Sequence, residues 1–127
     1  MSRAGAIAAV LACAGLLGTA LVASAPSRGA DAGPRLLVTA DEWSLGLSRS
    51  VLDPGHAIVQ LYNRGEDAHD LRIRRVGRSH VTIGPETAPG EVSELTRRLR
   101  SGRRYKLWCS LAGHKELGMR AELRVRG

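Results

Sequence analysis

The chain has 127 residues, which favours one domain over two because its composition shows no division into distinct halves. Its 19 Lys and Arg outnumber its 12 Asp and Glu, so the formal net charge is +7. Aromatic residues make up 3% of the chain and Phe is absent, which excludes an aromatic core and leaves Leu, Val, Ile and Ala to build one.

The N-terminal segment has the layout of a secretory signal peptide. A short positive start at Arg3 precedes the apolar run 4–22, and Ala23–Ala25 offers a small-x-small cleavage site. The predicted division of the chain is a signal peptide over 1–25, a flexible linker over 26–33 and a single domain over 34–127. We therefore predict an exported protein, located in the periplasm or another extracytoplasmic compartment.

Two other fates of the N-terminal segment remain open. The apolar run is close to the length that spans a membrane, so an uncleaved anchor is one alternative, although its many Gly and Ala residues make it weakly hydrophobic. Lipidation at Cys13 is the other, but Leu11 fits a lipidation signal poorly and apolar residues continue beyond Cys13. Cleavage after Ala25 is the favoured interpretation.

Alternating apolar and polar residues predict that the rest of the chain forms strands. The predicted strands are Leu36–Ala40, Ser44–Ser50, Ala57–Tyr62, Leu71–Arg74, Tyr105–Cys109 and Ala121–Val125. Alternation places Cys109 on the same face as Tyr105 and Leu107, toward the core. His80–Glu94 contains Gly-Pro and Pro-Gly pairs and is predicted to be turns and loop, and no helix is expected. The predicted fold class is all-β, an antiparallel Greek-key β-sandwich.

Three potential metal ligands follow one another near the C-terminus in the order Cys109-x4-His114-x4-Met119, and His69 lies upstream. A thiolate, imidazoles and a thioether are the donors that suit copper cycling between Cu(I) and Cu(II). After export Cys109 is the only cysteine, and a lone thiol in an oxidising compartment is a liability unless it is buried, paired with another chain or bound to metal. A buried inert thiol is the alternative, but it leaves the following His and Met unexplained.

The stretch Cys109–Met119, with His69 upstream, resembles the ligand loop of the cupredoxins, the small blue copper proteins that include plastocyanin, azurin and rusticyanin. The resemblance covers 34–127 and implies a Greek-key β-sandwich that holds one copper ion. The implied ligands are His69, Cys109, His114 and Met119. Two positions depart from the family pattern: Asp70 stands where many members have Asn, and Ala112 where many have Pro.

The resemblance also implies roles for side chains at the site. Cys109 would form a short thiolate bond, His69 and His114 would be equatorial ligands, and Met119 would make a long axial contact. We expect Asp70 to accept a hydrogen bond from the hydroxyl or backbone N–H of Ser110, which would tie the two ligand loops together. An apolar patch around His114 would form the port for electrons, and its predicted members are Leu111, Ala112, Gly113 and Leu117. The alternative is that this patch only closes the end of the sandwich.

The predicted function is an exported mononuclear type 1 (blue) copper protein that acts as a one-electron carrier and is not an enzyme. Copper oxidases of this fold need more copper centres and more histidines, whereas only His56 and His80 remain and both are expected to be ordinary surface residues. Met119 is the only methionine after the initiator, which argues against a methionine-rich copper store. The alternatives are a copper-binding protein for metal delivery or tolerance without a redox partner, and a metal-free secreted scaffold.

Clustered arginines indicate the class of partner. One group consists of Arg72, Arg74, Arg75 and Arg78, and a second of Arg97, Arg98, Arg100, Arg103 and Arg104. Such a basic field speeds the encounter with acidic partners and weakens with salt. We expect a monomer that meets an acidic redox protein; association with an anionic membrane surface is also open, and export argues against nucleic acid. The alternative is a solvated basic exterior with no specific partner.

Overall fold

Most of the strands bury one face, as their alternating sequences require. The computed structural model describes residues 33–127; the predicted signal peptide over 1–25 and all but the last residue of the predicted linker over 26–33 lie outside the described residues. Within them the elements are β1 Arg35–Asp41, β2 Ser44–Leu47, β3 Val51–Leu52, β4 Gly55–Asn63, β5 Arg72–Arg75, β6 Val81–Ile83, β7 Val92–Leu99, β8 Arg104–Trp108, α1 His114–Leu117 and β9 Arg120–Val125.

The strands form two sheets packed as a sandwich. One sheet has the order β2-β1-β4-β7 and the other β3-β9-β8-β5-β6. The pairs β1–β4 and β3–β9 are parallel, and the other pairs are antiparallel. The all-β sandwich is thus confirmed, but the prediction that it is purely antiparallel is wrong. The chain leaves the first sheet through β3 before β4 returns, and this crossover lets β4 lie parallel to β1.

The core between the sheets is almost wholly aliphatic, as the composition predicts. Its buried members include Leu36, Val38, Val59, Leu61, Leu71, Ile73, Leu107 and Leu123, with Tyr105 as the buried aromatic residue. Cys109 is also 0% exposed, on the same side of the sheet as Tyr105 and Leu107, which confirms its predicted orientation. The two sheets and this core lie entirely within residues 34–127.

The middle of the chain contains strands that the sequence did not reveal. β6 and the first part of β7 lie within His80–Glu94, so the prediction of turns and loop there is wrong. β7 is an edge strand of eight residues, and of its inward positions Ser93, Leu95 and Arg97 are half-buried while Leu99 is buried. The four-residue helix α1, within the predicted ligand loop, corrects the expectation of no helix.

Each end of the sandwich gathers a different set of loops. The β1–β2, β4–β5 and β8–β9 connections meet at one end, where His69, Cys109 and His114 come together. The β3–β4, β5–β6 and β7–β8 connections meet at the opposite end, around a groove lined by arginines. In the part of the chain that is described, no helix has the length and apolar character needed to cross a membrane.

Candidate metal centre

Buried polar side chains concentrate at one end of this sandwich. Among the described residues, the buried polar side chains are those of Asn63, His69, Asp70 and Thr87. Burial of such groups is costly unless hydrogen bonds or a metal ion compensate for the lost water. All four lie in or against the β4–β5 connection, so the buried polar groups are concentrated at this end and are absent from the aliphatic core of the described domain.

Three metal-binding side chains converge here. One ligand atom from each of His69, Cys109 and His114 lies within 4.8 Å of the others. His69 Nδ1 is 3.2 Å from His114 Nδ1, and Cys109 Sγ is 3.6 Å from His114 Nδ1. His69 and Cys109 are buried, and His114 is half-buried. The structure therefore brings together residues that are 45 positions apart in sequence.

These separations fit donors that share one ion. With bonds of about 2.0 Å to nitrogen and about 2.3 Å to sulfur, as zinc makes, trigonal or tetrahedral angles put two nitrogens about 3.3–3.5 Å apart and nitrogen and sulfur about 3.5–3.7 Å apart. The observed 3.2 and 3.6 Å are close to these values. A soft thiolate combined with two imidazoles suits copper in particular.

The β4–β5 connection holds His69 through its backbone. His69 and Thr87 exchange two backbone hydrogen bonds, with N···O distances of 3.1 and 2.7 Å. The buried Asn63 side chain donates to the carbonyls of Asp67 and Thr87, and its Oδ1 accepts from the N–H of Gly65. Hydrogen bonds consequently fix the loop that carries His69 from both sides.

Glu42, in the β1–β2 turn, fixes the His69 ring. Its Oε1 is 3.0 Å from His69 Nε2 and also accepts hydrogen bonds from the backbone N–H groups of Glu66 and Asp67. A proton on Nε2 donated to this carboxylate leaves Nδ1 unprotonated and free to bind a metal, which is a common role of carboxylates beside metal-binding histidines. A Cβ atom at Gly65 would collide with this carboxylate, so a glycine there permits the contact.

The Cys109–Met119 loop is closed by its own backbone. The Cys109 N–H donates to the carbonyl of Met119, and the Met119 N–H donates to the carbonyl of His114, each with an N···O distance of 3.1 Å. This pairing extends the β8–β9 ladder by one step beyond Trp108 and Arg120. Met119 is 0% exposed. The loop thus holds Met119 opposite Cys109 and buries it.

Asp70 joins the two loops. Ser110 donates to Asp70 twice, from its backbone N–H to Oδ1 and from its hydroxyl to Oδ2, each over 2.6 Å. The Arg72 guanidinium also donates to Oδ2, from Nε at 2.9 Å and from Nη2 at 2.8 Å. One hydrogen bond was expected, from either the hydroxyl or the backbone N–H of Ser110, and both are present. The loop that carries His69 is therefore tied directly to the residue after Cys109.

Solved structures that superpose on this chain include those of copper proteins. Auracyanin A, a "blue" copper protein from the green thermophilic photosynthetic bacterium Chloroflexus aurantiacus, superposes with a TM-score of 0.59 at 14% identity over 72% of this chain and 98% of its own. Reduced auracyanin from Roseiflexus castenholzii gives a TM-score of 0.57 at 13% identity, over 78% of this chain and 100% of its own. The chain has the cupredoxin fold. A multicopper oxidase matches at a TM-score of 0.51 and 12% identity, over 72% of this chain and 42% of its own. No protein-family model and no curated protein matches the chain.

Within this cupredoxin fold, the predicted apolar patch divides into exposed and packed residues. Leu117, on α1, is 58% exposed, and Ala112 and Gly113 are exposed as well. Leu111 is only half-exposed and packs against the core. The patch also has a member that was not predicted: the Trp43 ring, 36% exposed, lies edge-on to the His114 ring with centroids 4.7 Å apart.

The environment of the cupredoxin site shifts the pKa values of three side chains. Burial raises the pKa of the Cys109 thiol, so the metal-free sulfur keeps its proton at neutral pH. Burial also acts to raise the pKa of Asp70, but the two hydrogen bonds from Ser110 and the charge of Arg72 outweigh it, and the net pKa is lowered. The backbone N–H of Asp67 is the largest cause that lowers the pKa of Glu42 from 4.5 to about 2, and the backbone N–H of Glu66 and the side chain of His69 add to it.

The remaining histidines lie away from the cluster. His56 lines the groove at the opposite end of the sandwich, and His80 is exposed. Sequence reasoning missed Glu42, Trp43, Asn63 and Thr87. Of these four, only Glu42 could have been predicted from the sequence. A metal-binding histidine usually has a carboxylate or carbonyl partner, and Glu42 is an acidic residue directly after the first strand.

Proposed function

We propose that the chain is an exported, mononuclear blue copper protein that carries one electron at a time. The observation that carries the proposal is the cluster of His69, Cys109 and His114, whose ligand atoms lie within 4.8 Å of one another at the end of a cupredoxin-type sandwich. Copper bound there would supply a Cu(I)/Cu(II) couple. Export rests on the sequence of residues 1–25.

The proposed ligand set adds Met119 to the three clustered residues. Its support is the burial of the Met119 side chain and the backbone hydrogen bonds that join Met119 to both Cys109 and His114. A thioether would complete, with the thiolate and the two imidazoles, the set of soft donors that suits copper.

A carrier needs a site that changes little in shape when an electron arrives or leaves. Hydrogen bonds already hold each ligand-bearing segment: Glu42 and Thr87 hold His69, Asp70 holds the residue after Cys109, and the loop backbone holds His114. Rigid support of this kind favours fast electron transfer because little reorganisation accompanies the change in charge. A protein that only passes metal onward gains nothing from such rigid support.

The proposed port for electrons is the exposed surface beside His114. Of the three clustered side chains, His114 is the one that is not fully buried. The partly exposed Trp43 ring lies edge-on to its ring, and the exposed Ala112 and Leu117 are within three residues of it in sequence. Apolar patches of this kind on small soluble proteins often bind partners. Lys115 adds a positive charge to the same helix as His114 and Leu117, and its ammonium and the Arg74 guanidinium lie over the Trp108 ring, at 5.3 and 5.5 Å from its centroid. An acidic redox partner would complement them.

The test is to add Cu(II) to the purified chain from Pro26 onward and record its visible spectrum. We expect an intense thiolate-to-copper band with wild type and with His56→Ala, and no such band with Cys109→Ser. His114→Ala should alter or abolish the band. A protein that binds no copper, or a band that survives in Cys109→Ser, would contradict the proposed site.

Metal delivery without a redox partner is distinguished by electrochemistry. A carrier must show a reversible potential and fast self-exchange of electrons, whereas a delivery protein needs neither. Enzymatic activity is not proposed, because His56 lies at the opposite end of the sandwich and His80 is exposed, so the described residues offer no histidines for a second copper centre near the first. An irreversible couple together with fast copper transfer to a chelator would favour delivery.

A further inference from the structure

The end of the sandwich opposite the metal centre has a groove of about 820 Å³. We call it the arginine groove. Five arginines and one histidine line it: Arg75, Arg78, Arg98, Arg100, Arg103 and His56. These side chains come from three connections and the strand ends beside them, so part of each arginine group of the sequence converges here in space. Among residues 33–127, no Asp or Glu lines the groove.

The positive charges of the arginine groove are not neutralised within the described part of the protein. The salt bridges between residues 33 and 127 use Arg64, His69, Arg72, Arg104 and Arg126, none of which lines the groove. Partial burial and the nearby positive charges of Arg78, Arg100 and Arg103 lower the pKa of Arg75. The groove therefore collects like charges whose repulsion an anion would relieve.

The N-terminal part of the chain joins the domain beside the arginine groove. Gly33 lies directly against the backbone carbonyl of His56, and the Pro34 carbonyl accepts a hydrogen bond of 3.0 Å from the Ile58 N–H. The residues before Gly33 include the apolar run 4–22. The chain therefore enters the domain at the end that carries the groove, and a membrane-retained apolar run would be connected to the domain at that end.

We propose that the arginine groove docks the domain on an anionic phospholipid surface, with lipid phosphates seated among the arginines. Guanidinium groups bind phosphate oxygens through paired, charge-assisted hydrogen bonds, and clusters of basic residues bind anionic bilayers. In this orientation the metal centre, at the other end of the sandwich, faces away from the membrane toward soluble partners. Docking requires no copper, so it can fail or succeed independently of the proposed function.

The first test measures co-sedimentation of the metal-free chain from Pro26 onward with vesicles. Binding to vesicles containing phosphatidylglycerol should exceed binding to pure phosphatidylcholine, and it should weaken as salt is added. Arg78→Gln/Arg100→Gln should lower the affinity about tenfold or more. The matched control Arg64→Gln/Arg120→Gln removes the same charge at the metal end of the sandwich and should retain most of the affinity.

Each other outcome overturns the docking proposal. Equal losses in the two double variants would mean that net charge alone drives binding. Equal binding to both kinds of vesicle would exclude recognition of anionic lipid. Binding of inorganic pyrophosphate to the groove, without binding to vesicles, would assign the groove to a small phosphate anion instead. Circular dichroism of both double variants checks that they fold.

The second test measures orientation. A tryptophan introduced by Ser101→Trp would lie in the groove, whereas the native Trp43 and Trp108 lie toward the metal end. Quencher groups attached to lipid should reduce the emission of the introduced tryptophan and leave that of the native ones almost unchanged. Strong quenching of the native tryptophans in the unsubstituted protein would show that the opposite end meets the membrane.

Discussion

At the scale of single residues, Glu42 makes the contact that sets the orientation of the His69 ring. One oxygen accepts from two backbone N–H groups and the imidazole, so the same carboxylate fixes the loop and the ring. Carboxylate partners of this kind raise the basicity of the ligand and select the nitrogen that binds metal. The Glu42 side chain is therefore expected to influence metal binding without touching the metal.

Replacing Glu42 with glutamine should weaken copper binding by about 10- to 100-fold. The amide keeps a similar shape but lacks the negative charge that favours the His69 tautomer with its proton on Nε2 and Nδ1 free. Competition with a chelator of known affinity measures the change. Glu66→Gln is the matched control, because Glu66 contributes only its backbone N–H to the contact. Equal affinities for wild type and Glu42→Gln would show that backbone contacts alone orient the ring.

Glu42 should also affect the acid stability of the metal-free protein. Its pKa falls from 4.5 to about 2 in the folded state, so folding favours the ionised form. The resulting stabilisation is complete above about pH 4.5 and is lost as the pH falls toward 2. The stability difference between wild type and Glu42→Gln, measured by urea unfolding, should shrink across that range. A difference that stays constant with pH would rule out this linkage.

At the scale of elements, the β4–β5 and β8–β9 connections depend on each other through Asp70. Its carboxylate is buried, and each of its two oxygens accepts at least one hydrogen bond from Ser110 or Arg72. Asp70 replaces the Asn that many cupredoxins have at this position, and the change permits the ion pair with Arg72 as well as the contacts with Ser110. The two ligand-bearing loops should consequently loosen together.

Replacing Asp70 with alanine should destabilise the metal-free protein by about 2–3 kcal/mol, because it removes charged hydrogen bonds and leaves buried donors without partners. It should also shift the redox potential of the copper-loaded protein. Urea unfolding and voltammetry measure the two effects. Asp67→Ala, which changes an exposed side chain in the same loop, is the control. If neither stability nor potential changes, the tie between the loops has no energetic importance.

The short helix α1 presents Leu117 to the solvent beside His114. Replacing Leu117 with glutamate should slow electron exchange with a partner about tenfold while leaving the copper spectrum intact, because the substitution places an unfavourable charge on the proposed port. Stopped-flow kinetics measure the rate. Leu111→Glu should instead lower stability, since Leu111 packs against the core. Loss of the copper spectrum in Leu117→Glu would assign this residue to the structure of the site.

At the scale of the whole molecule, strands with one buried and one exposed face were the predictable part of the fold. β1, β4, β8 and β9 alternate clearly, and the sequence placed each of them within a few residues. β7 was missed because its inward positions include the polar Ser93 and Arg97 beside Leu95 and Leu99, so it carries little apolar periodicity. The parallel pairing of β1 with β4 depends on a crossover between sheets, which local patterns do not encode.

The site residues likewise divide into those that the local sequence reveals and those that matter only through contacts between distant segments. The sequence supplied His69, Cys109 and His114 because their chemistry and spacing are informative in themselves, and the structure brings these three together. Asn63 and Thr87 are common residue types whose importance arises only from contacts across distant segments. Trp43 was likewise unremarkable until the β1–β2 turn placed its ring against His114.

The burial of His69, Cys109 and Met119 limits how an ion can reach them. The least enclosed approach passes His114, which is the only half-buried member of the cluster, and the Trp43 ring lies edge-on against the His114 ring. Trp43→Ala should therefore speed metal uptake and metal loss alike, with little change in the equilibrium constant. Stopped-flow absorbance with and without a competing chelator gives the two rates. Unequal changes in them would mean that Trp43 also stabilises the loaded state.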